Sequence, residues 1–451
     1  MKKIFTIYSC VILIILTSCS KEWLEEKQDI KLIVPTTLND FDLLLNTSAF
    51  EQDGRGSTEN GSDEADYTLA QFNALPFPFQ RNLATWTVTE FEQLSTNQNE
   101  WNIAYSQIQV CNVVLTGLDK IVRDENNKEL YDRIKGTALY HRSRQFLNLA
   151  MTFCKYYDAR SSTSDLGIPL KLTDDIEEPI FRSTLEETYQ RIVQDLLIAS
   201  EILPIEKLSA THIAKGGAFA LLARSYLYMD NFRDAKNAAD SSYKYHNYIE
   251  DYNALNPAAS RPLNIQSKEM HIPLNPRMSV GYATVGRINQ DLYNSYDGND
   301  LRKVLFFKKE TDGRYSFKGH YRAALFSGTS TPEILLIGAE SRARLGDSKG
   351  AIHQLNILLE KRFKTGQFVP YYAGTANETL DIILSERRKE LLTRCLRWQD
   401  LKRLNRDPRY AKTLTRTIGD QTYSLPAGDP RYVLPIPQFI INFNGITQNE
   451  Q

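Results

Sequence analysis

The sequence predicts a mostly α-helical protein: an irregular solenoid of tetratricopeptide-like helical hairpins, with long irregular loops and a few short strands. Three observations predict it. Apolar residues recur at three- and four-residue steps through residues 98–245 and 331–404. Two of these stretches repeat one pattern of large and small residues, the mark of stacked hairpins. Between them, residues 246–330 lose the period and gather Pro, Gly and aromatic residues.

At the start of the chain, Met1-Lys2-Lys3 precedes an uncharged apolar run, Ile4 to Leu16, and then Leu16-Thr17-Ser18-Cys19. A charged start, a short apolar core and small residues before a cut make a secretory signal. The run is too short to span a bilayer, which takes about 20 residues. Residues 1–18 are therefore read as a lipoprotein signal peptide and Cys19 as the lipidated first residue of the mature chain. Residues 19–37 form a polar tether, and residues 38–451 a single domain. Its N-terminal part runs to about 245, a loop-rich region occupies 246–330, and a C-terminal part covers 331–451.

Residues 51–66, with Gly54, Gly56, Gly61 and several acids, read as a loop, and residues 70–90 carry no period. Trp101, Tyr105, Ile108, Asn112 and Leu115 share one helix face. Tyr131 to Tyr157 makes a second long helix. Ser183 or Thr184 caps a third, with Glu186 and Glu187 at its positive end, and Pro204 stops it. Phe219, Leu222, Ala223, Tyr226 and Ala235 then fall at tetratricopeptide offsets around the turn Asp230-Asn231-Phe232. Leu335, Ala339, Ala351, Leu355 and Leu358 repeat them around Leu345-Gly346-Asp347, with Arg342 where an aromatic is expected. Short strands are expected near 302–308 and 314–318. After Arg406 the chain turns irregular again.

Charge and cysteine count exclude several functions. Losing Lys2 and Lys3 with the signal takes the formal charge from −1 to −3, too weak for electrostatic capture of nucleic acid. Cys111, Cys154 and Cys395 are no disulfide framework and read as buried thiols. The six histidines lack metal-ligand spacing, and H-E-x-x-H and G-x-S-x-G motifs are absent, so no catalytic residue, cofactor or metal is assigned. Asp174 to Glu178 reads as a solvated acidic loop, and Asp297-Gly298-Asn299-Asp300 lacks the full calcium-loop spacing. The dense charges from Glu386 to Arg403 read as a helix whose residues pair at three- and four-residue spacing, with Arg397 and Trp398 locking it to the core.

The order of these segments resembles the SusD/RagB family of Bacteroidetes outer-membrane lipoproteins. The motifs that carry the likeness begin with the lipobox at Cys19 and Trp101-Asn102-x-x-Tyr105. They continue with Gly167-Ile168-Pro169-Leu170, Arg182-Ser183-Thr184, and Glu386-Arg387-Arg388-x-Glu390-Leu391. Arg397-Trp398-x-Asp400-Leu401-Lys402-Arg403 and Tyr432-Val433-Leu434-Pro435 complete it. Arg394-Cys395-Leu396 departs from the family's Glu-Gly. The resemblance implies a SusD-like fold facing the cell exterior and anchored by acyl chains, palmitate among them. It also implies a non-enzymatic role in nutrient uptake, as the lid of a SusC-like TonB-dependent barrel that holds a glycan. A peptide-binding lid, a surface glycoside hydrolase and a protein adaptor are the alternatives.

No family motif fixes the binding residues. Aromatic side chains free of helical period are the candidates, because a sugar's C–H face packs on a ring while polar groups orient it. They are Tyr67 and Trp86 in the first irregular region, and Tyr282, Tyr293 and Tyr296 in the second. Arg287 is added for a hydroxyl or carboxylate.

Overall fold

The structure is a computed structural model that describes residues 35–87, 99–264, 266–276, 285–321 and 325–450. Cys19, the signal and most of the tether lie outside the described residues, as does Tyr282. The first described helix is α1 (Leu38–Leu45), capped reciprocally by Thr37 and Asp40.

The scaffold is a stack of antiparallel helices: α2 (Glu100–Leu118), α3 (Lys128–Phe153), α4 (Leu185–Ile202), α5 (Lys215–Tyr228) and α6 (Phe232–Tyr245). Each packs on the next. Thr184 is the residue that caps α4: its hydroxyl accepts from the Glu187 N–H at 3.1 Å, and Glu187 returns the bond. A strand pair, β1 (Leu166–Pro169) and β2 (Arg182–Thr184), links α3 to α4.

The stack does not stop where the helical period stops. α6 packs directly on α7 (Thr331–Arg344), which pairs with α8 (Ser348–Glu360) and with α9 (Ala376–Glu390). Residues 246–330 are thus an excursion from a continuous solenoid. Within it the chain closes on itself across a seam: His271 N–H donates to Thr329 O at 3.1 Å and Thr331 N–H to Glu269 O at 2.9 Å.

The two repeat copies share their turn geometry. Asn231 N–H reaches back to Tyr226 O at 3.0 Å, and Asp347 N–H to Arg342 O at 2.9 Å. Asp230 and Gly346 occupy the left-handed region between the helices. Asn231 and Asp347 then cap α6 and α8. Arg342 is accommodated because its guanidinium bonds Asp240 on α6 at 2.7 Å and Gln354 on α8 at 2.7 Å. Ala223 and Ala339 are fully buried where helices cross.

Two expectations are corrected and one is refined. Residues 51–66 are largely irregular, as expected of a loop, but most of the segment is buried. Asp53, Arg55, Glu59 and Glu64 are all buried, because α10 (Arg397–Leu404) closes over a 3₁₀ turn at Ser57–Gly61. The charges of 386–403 lie on two helices rather than one, since Leu391–Leu396 break them apart. Pairs at three-residue spacing do form, Lys389 with Glu386 at 2.6 Å and Arg403 with Asp400 at 2.8 Å, and remote partners add to them: Arg302 holds Glu386 at 2.6 Å and Glu390 at 3.1 Å, and Arg403 holds Glu340 at 2.5 Å. Finally, the tail after Arg406 contains a regular hairpin, β5 (Leu414–Ile418) and β6 (Gln421–Leu425). Its alternation of buried and exposed side chains is one that a Pro-rich neighbourhood conceals.

Candidate ligand face

Within the excursion, hydrophobic collapse builds a second small core from Tyr252, Leu263, Met270, Ile288, Leu292, Tyr296, Phe306, Phe307 and Phe317. Buried ion pairs fasten it to the scaffold. Arg362 bonds Glu269 at 2.7 Å and Glu390 at 2.9 Å, with its guanidinium 3.8 Å from the Tyr252 ring centre. Tyr321 donates to the other Glu269 oxygen at 2.7 Å.

A hairpin of β3 (Phe307–Lys309) and β4 (Tyr315–Phe317) lies on this core. Beside it, Arg287–Ile288 pairs with Ala65–Asp66, and Asn289 caps the short helix Gln290–Asn294. That helix presents Tyr293 to the hairpin. Tyr293 stacks on Tyr315 with centroids 3.6 Å apart and planes at 14°, and both are half-buried. The Lys303 ammonium lies 5.2 Å from the Tyr293 centroid. The hairpin turn brings Asp312 to Arg287 at 3.0 Å, and Arg314 approaches Asp66 at 3.7 Å. Asn289 also donates to Asp66 at 3.1 Å. Burial and the neighbouring Tyr315 push the Tyr293 phenol up to about 12, so it is neutral and can donate or accept. A half-exposed aromatic platform fringed by fixed charges and an amide can stack a ring and orient its hydroxyls.

The other candidates go elsewhere. Tyr296, on the same loop as Tyr293, is 1 % exposed and donates to Lys389 O at 2.8 Å. Tyr67 and Trp86 are each 4 % exposed. Their rings flank the Arg416 guanidinium, at 5.6 and 5.1 Å. Arg416 is further held by carbonyl oxygens, Ser62 O at 2.6 Å among them. These three aromatics pack in the core: a ring without helical period can serve an irregular core as well as a surface. Tyr282 lies outside the described residues. Tyr315 and Asp312 were missed. Tyr315 stood among the excursion's aromatics, but nothing in the sequence shows which one faces Tyr293.

A second concavity, of about 690 Å³, opens between Ile205–Ala214 and the start of the excursion, with Tyr245, Tyr248, His246 and Lys207 on its walls. Among the described residues, no cluster of three or more His, Cys, Asp or Glu is placed to hold a metal, and no helix is long and apolar enough to cross a membrane.

Two family models match the chain, one described as starch-binding associating with outer membrane over residues 22–227 and one described as SusD family over residues 331–451. The chain belongs to the SusD family. The SusD-like protein P2 of Formosa agariphila is 24% identical over 428 residues, covering 77% of this chain and 79% of its own. A SusD superfamily protein from Bacteroides thetaiotaomicron superposes with a TM-score of 0.73 at 21% identity, covering 92% of this chain and 100% of that one. A putative sugar binding protein from Bacteroides vulgatus gives 0.72 at 20%, over 92% and 99%. The SusD fold therefore spans helical stack, excursion and tail together.

Proposed function

We propose that this protein is a non-catalytic nutrient binder of the outer membrane, lipidated at Cys19 and exposed to the cell exterior. It captures a glycan on the Tyr293–Tyr315 face and acts as the lid of a SusC-like TonB-dependent transporter. The observation that carries the reading is the stacked tyrosine pair with its fixed charges, set on a loop module of a SusD scaffold. Loops on a rigid frame are where binding residues concentrate.

Calorimetric titration against a panel of soluble oligosaccharides tests it, with the Tyr293→Ala/Tyr315→Ala double variant alongside. Stacked side chains at a binding hot spot contribute about 1–3 kcal/mol, so at least a tenfold loss of affinity is expected, with near-native melting. Oligosaccharide affinity that is unchanged in the double variant removes the face from the site. Binding of peptides and of no sugar in the panel overturns the glycan reading.

A further inference from the structure

A cavity of about 380 Å³ lies where the C-terminal end of α3 meets α10 and the tail. It shares no residue with the tyrosine face, so a ligand held here is independent of any glycan held there. Its walls combine Tyr156, Tyr432 and Pro430 with Lys402, Asn405 and Arg406. The volume lies within the range of about 300–1,000 Å³ that small-molecule sites occupy.

Its polar groups are unevenly satisfied. Lys402 is 7 % exposed and donates to Met151 O at 2.9 Å and Cys154 O at 2.8 Å. Those bonds cap α3 and take two of the ammonium's three donors. Among the described residues no carboxylate pairs with it. Helix-end carbonyls supply only part of a counter-charge, and a buried cation ordinarily has a full anionic partner. The Asn405 amide and the Tyr432 hydroxyl lie within reach of one another on the wall of the same cavity. Of the acids close by, Glu450 lines the cavity itself, and three others are engaged elsewhere. Asp429 is held by Arg431 at 2.8 Å, Asp158 by Arg406 at 2.6 Å, and Asp230 accepts from Tyr156 at 2.8 Å. Capping of α3 explains two donors of Lys402. It explains neither the cavity nor a buried cation without a carboxylate partner.

We infer that this cavity binds a small carboxylate-bearing polyol of monosaccharide size, its carboxylate against Lys402 and its hydroxyls toward Asn405 and Tyr432. The charge of Lys402 selects the anion; the amide and phenol supply the neutral polar contacts.

Glucuronate and glucose make a matched probe pair, differing in one carboxylate. Gly428 lines the cavity at a positive φ of 75°, and a Cβ there meets nothing within 4 Å. Asp and Asn both tolerate that conformation, so Gly428→Asp and Gly428→Asn add the same bulk with and without charge. Calorimetry on the full mature chain should show glucuronate bound more tightly than glucose. Gly428→Asp should bind glucuronate about fivefold more weakly than Gly428→Asn does, with glucose alike in both, as a like charge at the mouth requires. Lys402→Met should lose at least about tenfold for glucuronate. Should that variant not fold, the Gly428 pair decides alone. Equal affinity for the two sugars, no glucuronate binding, or an Asp variant that matches its Asn counterpart overturns the inference.

Discussion

Arg416 sits in a cage of carbonyl oxygens between two rings, and its surroundings assign Tyr67 and Trp86 to stability. Trp86→Ala should cost about 3–5 kcal/mol in chemical denaturation while leaving glycan affinity unchanged in whatever fraction folds. A loss of affinity at unchanged stability would return Trp86 to the binding site. A second residue-scale prediction concerns Glu100. Burial pushes its carboxyl up to about 7, against hydrogen bonds from the Ser57 hydroxyl and N–H at 2.7 and 2.8 Å. The unfolded chain loses this proton near 4.5, whereas the folded chain keeps it to about 7. Between those values the folded state binds more protons, so stability falls as pH rises and levels off above about 7. Glu100→Gln mimics the protonated form. It should flatten that slope and stabilise the protein by about 2–3 kcal/mol at pH 8, read from urea midpoints across pH 4.5–8. Asp400 is the opposite case. Burial resists its ionisation, but Arg387 and Arg403 hold it at about 2, so its contribution is present above about 4 and is lost as pH falls toward 2.

Helices were legible where one face meets a core: α2, α4, α5 and α7 follow from the spacing of Trp101, Tyr189, Ala223 and Ala339 and their neighbours. The hairpin spacing also places Ala223 at a crossing, and the structure leaves it no free surface. Ala223→Phe should overpack that crossing and cost about 1–3 kcal/mol by thermal denaturation, whereas Ala223→Gly should cost only about 1 kcal/mol. Equal tolerance of both would mean the helices part more easily than their packing implies. What was not legible shares a physical cause. Glu59 and Glu64 look solvated because each is polar, and remote partners such as Trp398 and Thr393 make their burial tenable. Arg302 and Glu386 are likewise 84 residues apart, a pairing with no local signature. The candidate site divides the same way. Tyr293 and Arg287 were reachable as loop residues rich in aromatic and charged chemistry. Their convergence on Tyr315 and Asp312 belongs to the hairpin's fold, not to any spacing.

At the scale of the molecule, two ion-pair clusters join parts that the sequence separates. Arg302 and Arg362 tie the excursion to α9 through Glu386 and Glu390, and Arg224 ties α5 to α7 through Glu333 at 2.7 Å. Removing one partner of a buried pair strands the other charge. Arg362→Leu should therefore cost about 3–5 kcal/mol, more than an exposed pair such as Lys128–Glu125, worth under about 1 kcal/mol. Hydrogen exchange should show the 246–330 amides losing protection first. Uniform loss across the stack would mean that the excursion is not a separable unit. For the anchor, Cys19→Ala should leave the protein unprocessed or release it from membrane fractions. Normal retention of that variant would refute lipidation at this thiol.

The closing of residues 271–329 across one seam has an evolutionary consequence. A segment that leaves and rejoins a scaffold at one point behaves as a cassette: it can be exchanged whole, since Met270 and Ser330 bridge the same seam whatever lies between them. The scaffold sets one condition of entry. Glu386 and Glu390 stay behind, buried, when the cassette departs with Arg302, and keep only Lys389 and Arg362 beside them, so a replacement that brings a cation to the same spot restores the third partner.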